Sequence, residues 1–168
     1  MKVILYMAST ANGLIAKPDD DTSWISGEEW DSYSEATRKA GNLIVGHRTY
    51  DILTKQPEFS EFKDVKLVVV ATGAVDLVAA NHAIASTPTE ALRMFGDANE
   101  VVVAGGGALN ASFLAENLID EIYLDIEPRI FGEGIALAHG ESFDLELQLL
   151  GTNEISANEI QLHYRVIK

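Results

Sequence analysis

Three consecutive glycines, Gly105-Gly106-Gly107, stand between the apolar run Val101-Val102-Val103-Ala104 and the helix-forming stretch Ala108-Leu109-Asn110-Ala111-Ser112-Phe113-Leu114. Glycine where a strand gives way to a helix removes the Cβ that would hold a ligand off the backbone, and it leaves the first helical N–H groups pointing at that ligand. The chemistry on offer is phosphate binding, and in particular the binding of a diphosphate-bearing cofactor. The same glycines also serve a chain that merely has to turn sharply. They depart from the dinucleotide fingerprint. The register Gly105-x-Gly107-x-x-Asn110 puts asparagine where a third glycine or alanine belongs, and Asp125 lies inside an apolar run rather than at the end of a strand.

A second turn repeats the pattern. Asn42-Leu43-Ile44-Val45 reads as a buried strand, Gly46 closes it, and the helix that follows carries His47, Arg48 and Thr49 in its first turn. Ligands of open α/β sheets collect outside the carboxyl ends of the strands, so two such turns suit two parts of one cofactor. Of five arginines only Arg48 sits at a glycine turn, which fits it for a phosphate. An arginine at a helix start serves a surface carboxylate equally well.

Other chemistry is thin. His47, His82, His139 and His163 show no paired metal-ligand spacing, and no serine lies in a Gly-x-Ser-x-Gly elbow. With no cysteine, disulfide scaffolds, zinc fingers, iron–sulfur ligation and thiol nucleophiles are excluded. The run Asp19-Asp20-Asp21 lacks the glycine and distal glutamate of a calcium loop and reads as a solvated turn. Twelve basic against 26 acidic residues give a formal net charge of −14, which disfavours nucleic-acid and anionic-membrane partners. No segment approaches the roughly 20 apolar residues that span a bilayer. The apolar opening Met1 to Ala8 runs at once into Ser9-Thr10, unlike a signal peptide, so a cytoplasmic location is expected.

The elements that must position these residues alternate along the chain, and 168 residues predict a single domain over 1–168. Ser26-Gly27-Glu28-Glu29 fits a capping box opening a helix to about Lys39, with Ser26 as N-cap and Glu29 as its partner. Thr87-Pro88-Thr89-Glu90 is another, with its helix reaching about Phe95. The continuous apolar run Lys66 to Thr72 is the kind found in strands covered on both faces. The run Val101 to Glu127 makes a strand–helix–strand unit of the type that joins parallel strands. From Leu145 to Lys168 the pattern alternates in parts around the turn Ser156-Ala157-Asn158-Glu159, which predicts an antiparallel hairpin.

Val45-Gly46-His47-Arg48-Thr49-Tyr50 and Val103-Ala104-Gly105-Gly106-Gly107-Ala108-Leu109 together resemble the dihydrofolate reductase-like superfamily. Ile119-Asp120-Glu121-Ile122-Tyr123-Leu124, followed by Pro128-Arg129-Ile130-Phe131-Gly132-Glu133-Gly134, is similar to the riboflavin-biosynthesis reductase branch, the RibD C-terminal type. Val3 to Ser9 looks like its first strand, and Asn12 to Ala16 like the loop over the nicotinamide. The resemblance implies a three-layer α/β/α fold with a mostly parallel central sheet and a C-terminal antiparallel hairpin, assembled as a homodimer. It implies NADPH as cofactor. Ala8 and Ile15 would flank the nicotinamide, while Gly46, His47, Arg48, Thr49, Ala71 and Thr72 would take the adenosine-side phosphates. Gly105, Gly106, Gly107, Ala108 and Leu109 would take the diphosphate. The superfamily commonly has arginine directly after the first turn's glycine, where this chain has His47, with Arg48 one place on. Substrate contact would fall to Trp24 and Glu29; counting back from Gly46 instead puts Trp30 at the acid's place. The implied activity is NADPH-dependent reduction of a small heterocycle, of the 5-amino-6-(5-phosphoribosylamino)uracil type. A dihydrofolate reductase and a non-catalytic NADP-binding paralogue are the alternatives.

Overall fold

Side chains of Lys2–Thr10 alternate between the two faces of strand β1, and Val3, Leu5, Ile4 and Tyr6 are all buried, so β1 needs cover on both sides. The computed structural model describes residues 1–168. After β1 comes the short β2 (Leu14–Ala16), then α1 (Gly27–Ala40), β3 (Asn42–Gly46) and α2 (His47–Leu53). A 3-10 turn over Pro57–Phe62 leads to β4 (Lys66–Val70), β5 (His82–Ala85) and α3 (Pro88–Arg93). The second half holds β6 (Glu100–Val103), α4 (Gly107–Ala115), β7 (Glu121–Glu127), β8 (Ile135–Ala136), β9 (Leu147–Ser156) and β10 (Glu159–Val166).

Eight strands form one sheet in the order β5-β4-β3-β6-β1-β7-β10-β9, parallel from β5 to β7, with β10 and β9 antiparallel at the far edge. This is the α/β arrangement with a C-terminal hairpin that the sequence implies. The strand–helix–strand reading of Val101 to Glu127 holds, but its two strands are not neighbours, because β1 lies between β6 and β7. Val3, Leu5, Ile44, Val68, Val101 and Val103 pack on one face beneath Ala91 of α3 and Phe113 of α4. On the other face Tyr6, Leu43, Val45, Leu67 and Val69 pack beneath Tyr33 of α1 and Tyr50 of α2. Burying both faces makes the three layers.

Ser26 caps α1 as expected, accepting the Glu29 N–H at 2.9 Å, but the reciprocal half of the capping box is missing. The Ser26 N–H donates instead to Oε1 of Glu127 at 2.7 Å. Thr87 caps Glu90 likewise, and Glu90 accepts from the N–H of Ser86 rather than of Thr87.

Candidate active site

The two glycine turns meet. β3 and β6 are neighbours in the sheet, and at their carboxyl ends the Gly46 N–H donates to the Gly105 carbonyl at 2.9 Å. A Cβ on Gly46 would touch the Gly105 oxygen at 3.6 Å. Gly105 lies at φ +74, where a side chain is strained, and the Gly105–Gly106 peptide is cis. Around Gly106 the space is open, since a Cβ there would find within 4 Å only the Thr49 hydroxyl, at 3.6 Å. Gly106 and Gly46 start α4 and α2 with no side-chain cap, and neither helix has an acidic residue in its first turn. This arrangement leaves room and backbone N–H groups for a diphosphate.

The structure divides the remaining phosphate candidates. Thr49 borders both turns, and Ala108 is exposed at the start of α4. Gly107 has a packing role: its Cβ would lie 2.5 Å from the Ala136 carbonyl and 2.6 Å from the His139 ring. The Leu109 side chain is core. Ala71 donates its N–H to Ala85, and Thr72 is exposed just beyond β4. His47 Nε2 lies 3.6 Å from Asp51. Arg48 is paired with Asp20, so the reading of an arginine serving a carboxylate is realised in this conformation, and the Asp19-Asp20-Asp21 run is more than a solvated turn. Asp21 holds Lys17 at 2.5 Å. Any 2′-phosphate reaching Arg48 would compete with Asp20.

On the far side of β1 the α1 face carries a polar ladder that the sequence reading missed. In register, Ala8 of β1 stands beside Asp125 of β7, which stands beside Gln161 of β10. Tyr6 donates its hydroxyl proton to Asp125 Oδ2 at 2.8 Å, so Ser32, 2.6 Å away, must donate to Tyr6. Gln161 donates one amide proton to the Tyr6 oxygen and the other to Asp125 Oδ1, both at 2.9 Å. One step nearer the carboxyl edge, Glu127 ends β7 and Glu159 opens β10, and Glu29 reaches in from the first turn of α1. Glu29, Asp125, Glu127 and Glu159 are between 1% and 8% exposed. None of the four takes part in any ion pair of the structure.

Burial, reinforced by Asp125, Glu127 and Glu159, pushes the Glu29 carboxyl up to about 8. Burial likewise raises Asp125 to about 6, against the lowering hydrogen bonds from Tyr6 and Gln161. Glu127 is raised by burial and by its neighbour Glu159. Glu29 is therefore held toward its protonated form. Of the two substrate candidates only Glu29 enters this cluster. Trp24 is buried with its ring edge-on to Phe131 at 5.1 Å and its indole N–H on the Asp21 carbonyl, so it fixes the loop before α1. Trp30 packs on Tyr33 and Phe62. Ile15 is buried in β2, which pairs with β8. The missed residues left one trace in the sequence: acids at alternate positions of an otherwise apolar strand, Glu121, Asp125 and Glu127, share one face.

The family model for the RibD C-terminal domain matches residues 1–161. The chain belongs to that family. It is 30% identical to the uncharacterised protein YwjB of Bacillus subtilis over 97% of each chain. Among solved structures, a candidate riboflavin biosynthesis protein of Shewanella sp. PV-4 superposes at TM-score 0.78 with 18% identity, covering all of both chains. A pyrimidine reductase-like protein of Corynebacterium diphtheriae gives 0.76 at 15% identity, over 99% of this chain and 92% of the other. The deaminase and phosphoribosylaminouracil reductase of Thermotoga maritima gives 0.75 at 19%, over 99% of this chain but 56% of that longer one. At these identities the structures establish a shared fold. RibD C-terminal reductases use NADPH. The open cradle at Gly106 and the uncapped start of α4 fit the diphosphate of such a cofactor, whereas Arg48, the arginine at the first glycine turn, is paired with Asp20 in this conformation. No helix is long and apolar enough to cross a membrane.

Proposed function

We propose that the chain is an NADPH-dependent reductase of a small nitrogen heterocycle, as its family membership suggests. The observation that carries the reading is the meeting of two glycine turns one strand from Ala8, with a buried carboxyl recess on the strand beyond. Adjacent strands lie about 4.8 Å apart, so a cofactor in the cradle and a ring at the recess would be in contact range. The bound cofactor would supply hydride, and the protein would orient the partners and handle the proton. Glu29, held protonated at neutral pH, is placed to give a proton to a ring nitrogen. Asp125, with two of its acceptor sites filled by Tyr6 and Gln161, would stay fixed and orient the ring.

The finer reading, reduction of a ribosylaminopyrimidine of the riboflavin pathway, is supported by the branch-specific segment Pro128 to Gly134 and by the name of the Thermotoga maritima enzyme. The deciding assay follows loss of reduced-nicotinamide absorbance with phosphoribosylaminouracil and, separately, with dihydrofolate. Turnover of the first and not the second supports this reading. Calorimetry that detects neither NADPH nor NADH at millimolar concentration removes it.

A further inference from the structure

Of the four histidines, His82 is hydrogen-bonded to Tyr50, His163 to Glu121, and His47 stands 3.6 Å from Asp51. His139 alone has both ring nitrogens free of any hydrogen bond or ion pair. It is exposed, yet its place is built. Leu137 donates its N–H to the Gly13 carbonyl at 3.1 Å, and Nδ2 of Asn110, a residue fully buried in α4, donates to the Leu137 carbonyl at 2.7 Å. The His139 N–H donates to the Gly107 carbonyl at 3.2 Å, and Gly140, at φ +97, turns the chain away directly afterwards. The three residues that follow β8 are thus tied to the first turn of α4. The imidazole lies against that turn: a Cβ on Gly107 would meet Cδ2 of His139 at 2.6 Å and Nε2 at 3.0 Å.

Consecutive glycines of the cradle therefore carry one polar neighbour each, the Thr49 hydroxyl beside Gly106 and the His139 ring beside Gly107. The cradle's own elements supply no cation. Neither β6 nor α4 contains a lysine or an arginine, Arg48 is paired with Asp20, and Lys17 is held by Asp21. A diphosphate brings two negative charges to a chain whose formal net charge is already −14, so the helix N–H groups alone would hold it against the field of the whole molecule. An imidazole answers that need from where it stands. It offers an N–H donor in either neutral tautomer and two donors with a positive charge when protonated. The third glycine also acquires its reason here, since any side chain at position 107 would push the ring off the start of α4.

Resting on the reductase reading, we infer that His139 is a further cofactor-binding residue, which donates a ring N–H to the diphosphate at the start of α4 and so serves NADPH and NADH alike. Calorimetric titration of both cofactors into the whole protein and its variants tests this. His139→Phe keeps a ring against Gly107 and removes the donors. It should weaken NADPH and NADH by the same factor, about tenfold, with the melting temperature unchanged. His139→Lys restores a donor without the ring and should recover most of the loss, which a packing role for the imidazole does not allow. His139→Ala gives the same reading as His139→Phe should thermal unfolding show that phenylalanine has disturbed the fold. Unchanged affinity in the folded variant overturns the inference. So does a loss confined to NADPH, which would put His139 at the 2′-phosphate instead, and so does a lysine variant that recovers nothing. The two readings stay apart: wild-type protein that binds both cofactors with no dependence on His139 fells only the inference, whereas wild-type protein that binds neither at millimolar concentration fells the reductase reading and the inference with it.

Discussion

Glu29 shows how a side chain with an ordinary role in sequence acquires another through its neighbours. Ser26 takes the capping role alone, and Glu127 occupies the Ser26 N–H that Glu29 would otherwise bind, so Glu29 turns into the recess. Its folded-state carboxyl, raised to about 8 from 4.5 chiefly by burial and then by Asp125, Glu127 and Glu159, favours the protonated fold. The stability this group contributes is present below about 4.5 and is lost as pH rises through about 8. Asp125 acts in the same direction between 3.8 and about 6. Melting temperature should therefore fall between pH 5 and pH 8, and Glu29→Gln should flatten that slope and raise stability at pH 8 by on the order of a few kcal/mol. A thermal-unfolding series over that range checks it, and an unchanged slope in the variant would show that Glu29 is not the titrating group. Arg48 belongs to the same scale. Arg48→Ala should weaken NADPH by roughly 10-fold or more and NADH hardly at all, since a charge-assisted contact is worth about 1.5–3 kcal/mol. Asp20→Asn, which frees the guanidinium, should move NADPH affinity the other way. Calorimetry with both cofactors reads the difference, and equal losses in Arg48→Ala would assign it to the shared diphosphate.

At the scale of elements, two glycine positions separate binding from architecture. Gly106 faces open space, so Gly106→Val should abolish cofactor binding while the melting temperature barely moves. Gly134 is the converse. A Cβ there would lie 2.5 Å from the Ala16 carbonyl, where β2 meets the segment leading into β8. Gly134→Ala should push that two-stranded ribbon apart at a cost of about 1–3 kcal/mol, the range typical of overpacking. Denaturant unfolding of the two variants side by side distinguishes them. The ribbon matters because Leu137 donates to Gly13 and Asn12 donates to Phe131, pinning the loop after β1 against the loop after β7 over the carboxyl edge.

For the whole molecule, the far edge of the sheet is the unguarded one. β9 ends it, and Leu147, Leu149 and Leu150 are all more than a third exposed there, with Ile160 on the neighbouring β10. An apolar edge strand invites pairing, and self-pairing about a twofold axis is the commonest way to close it. A homodimer through this edge is expected, with light scattering giving about 36 kDa, twice the 18.2 kDa of one chain. Leu149→Glu should return it to 18.2 kDa. A wild-type protein that already scatters at the monomer mass rejects the dimer.

The sequence alone determined the glycine turns, both helix caps and the C-terminal hairpin. Each is a local event: a missing Cβ, a hydroxyl three residues from an N–H, an alternation broken by a turn. The run Lys66 to Val70 was legible as a doubly covered strand for the same reason, since continuous apolar composition needs no partner to be recognised. Only the tertiary structure decided which turns face each other and which acids share a pocket. Glu29, Asp125, Glu127 and Glu159 come from three separate elements, up to 130 positions apart, and their proximity depends on β7 leaving β6 to pair with β1 and on β10 folding back along β7. Sequence spacing carries no record of that order, because strand neighbours in a sheet are fixed by the burial of whole faces rather than by any residue that the strands contain.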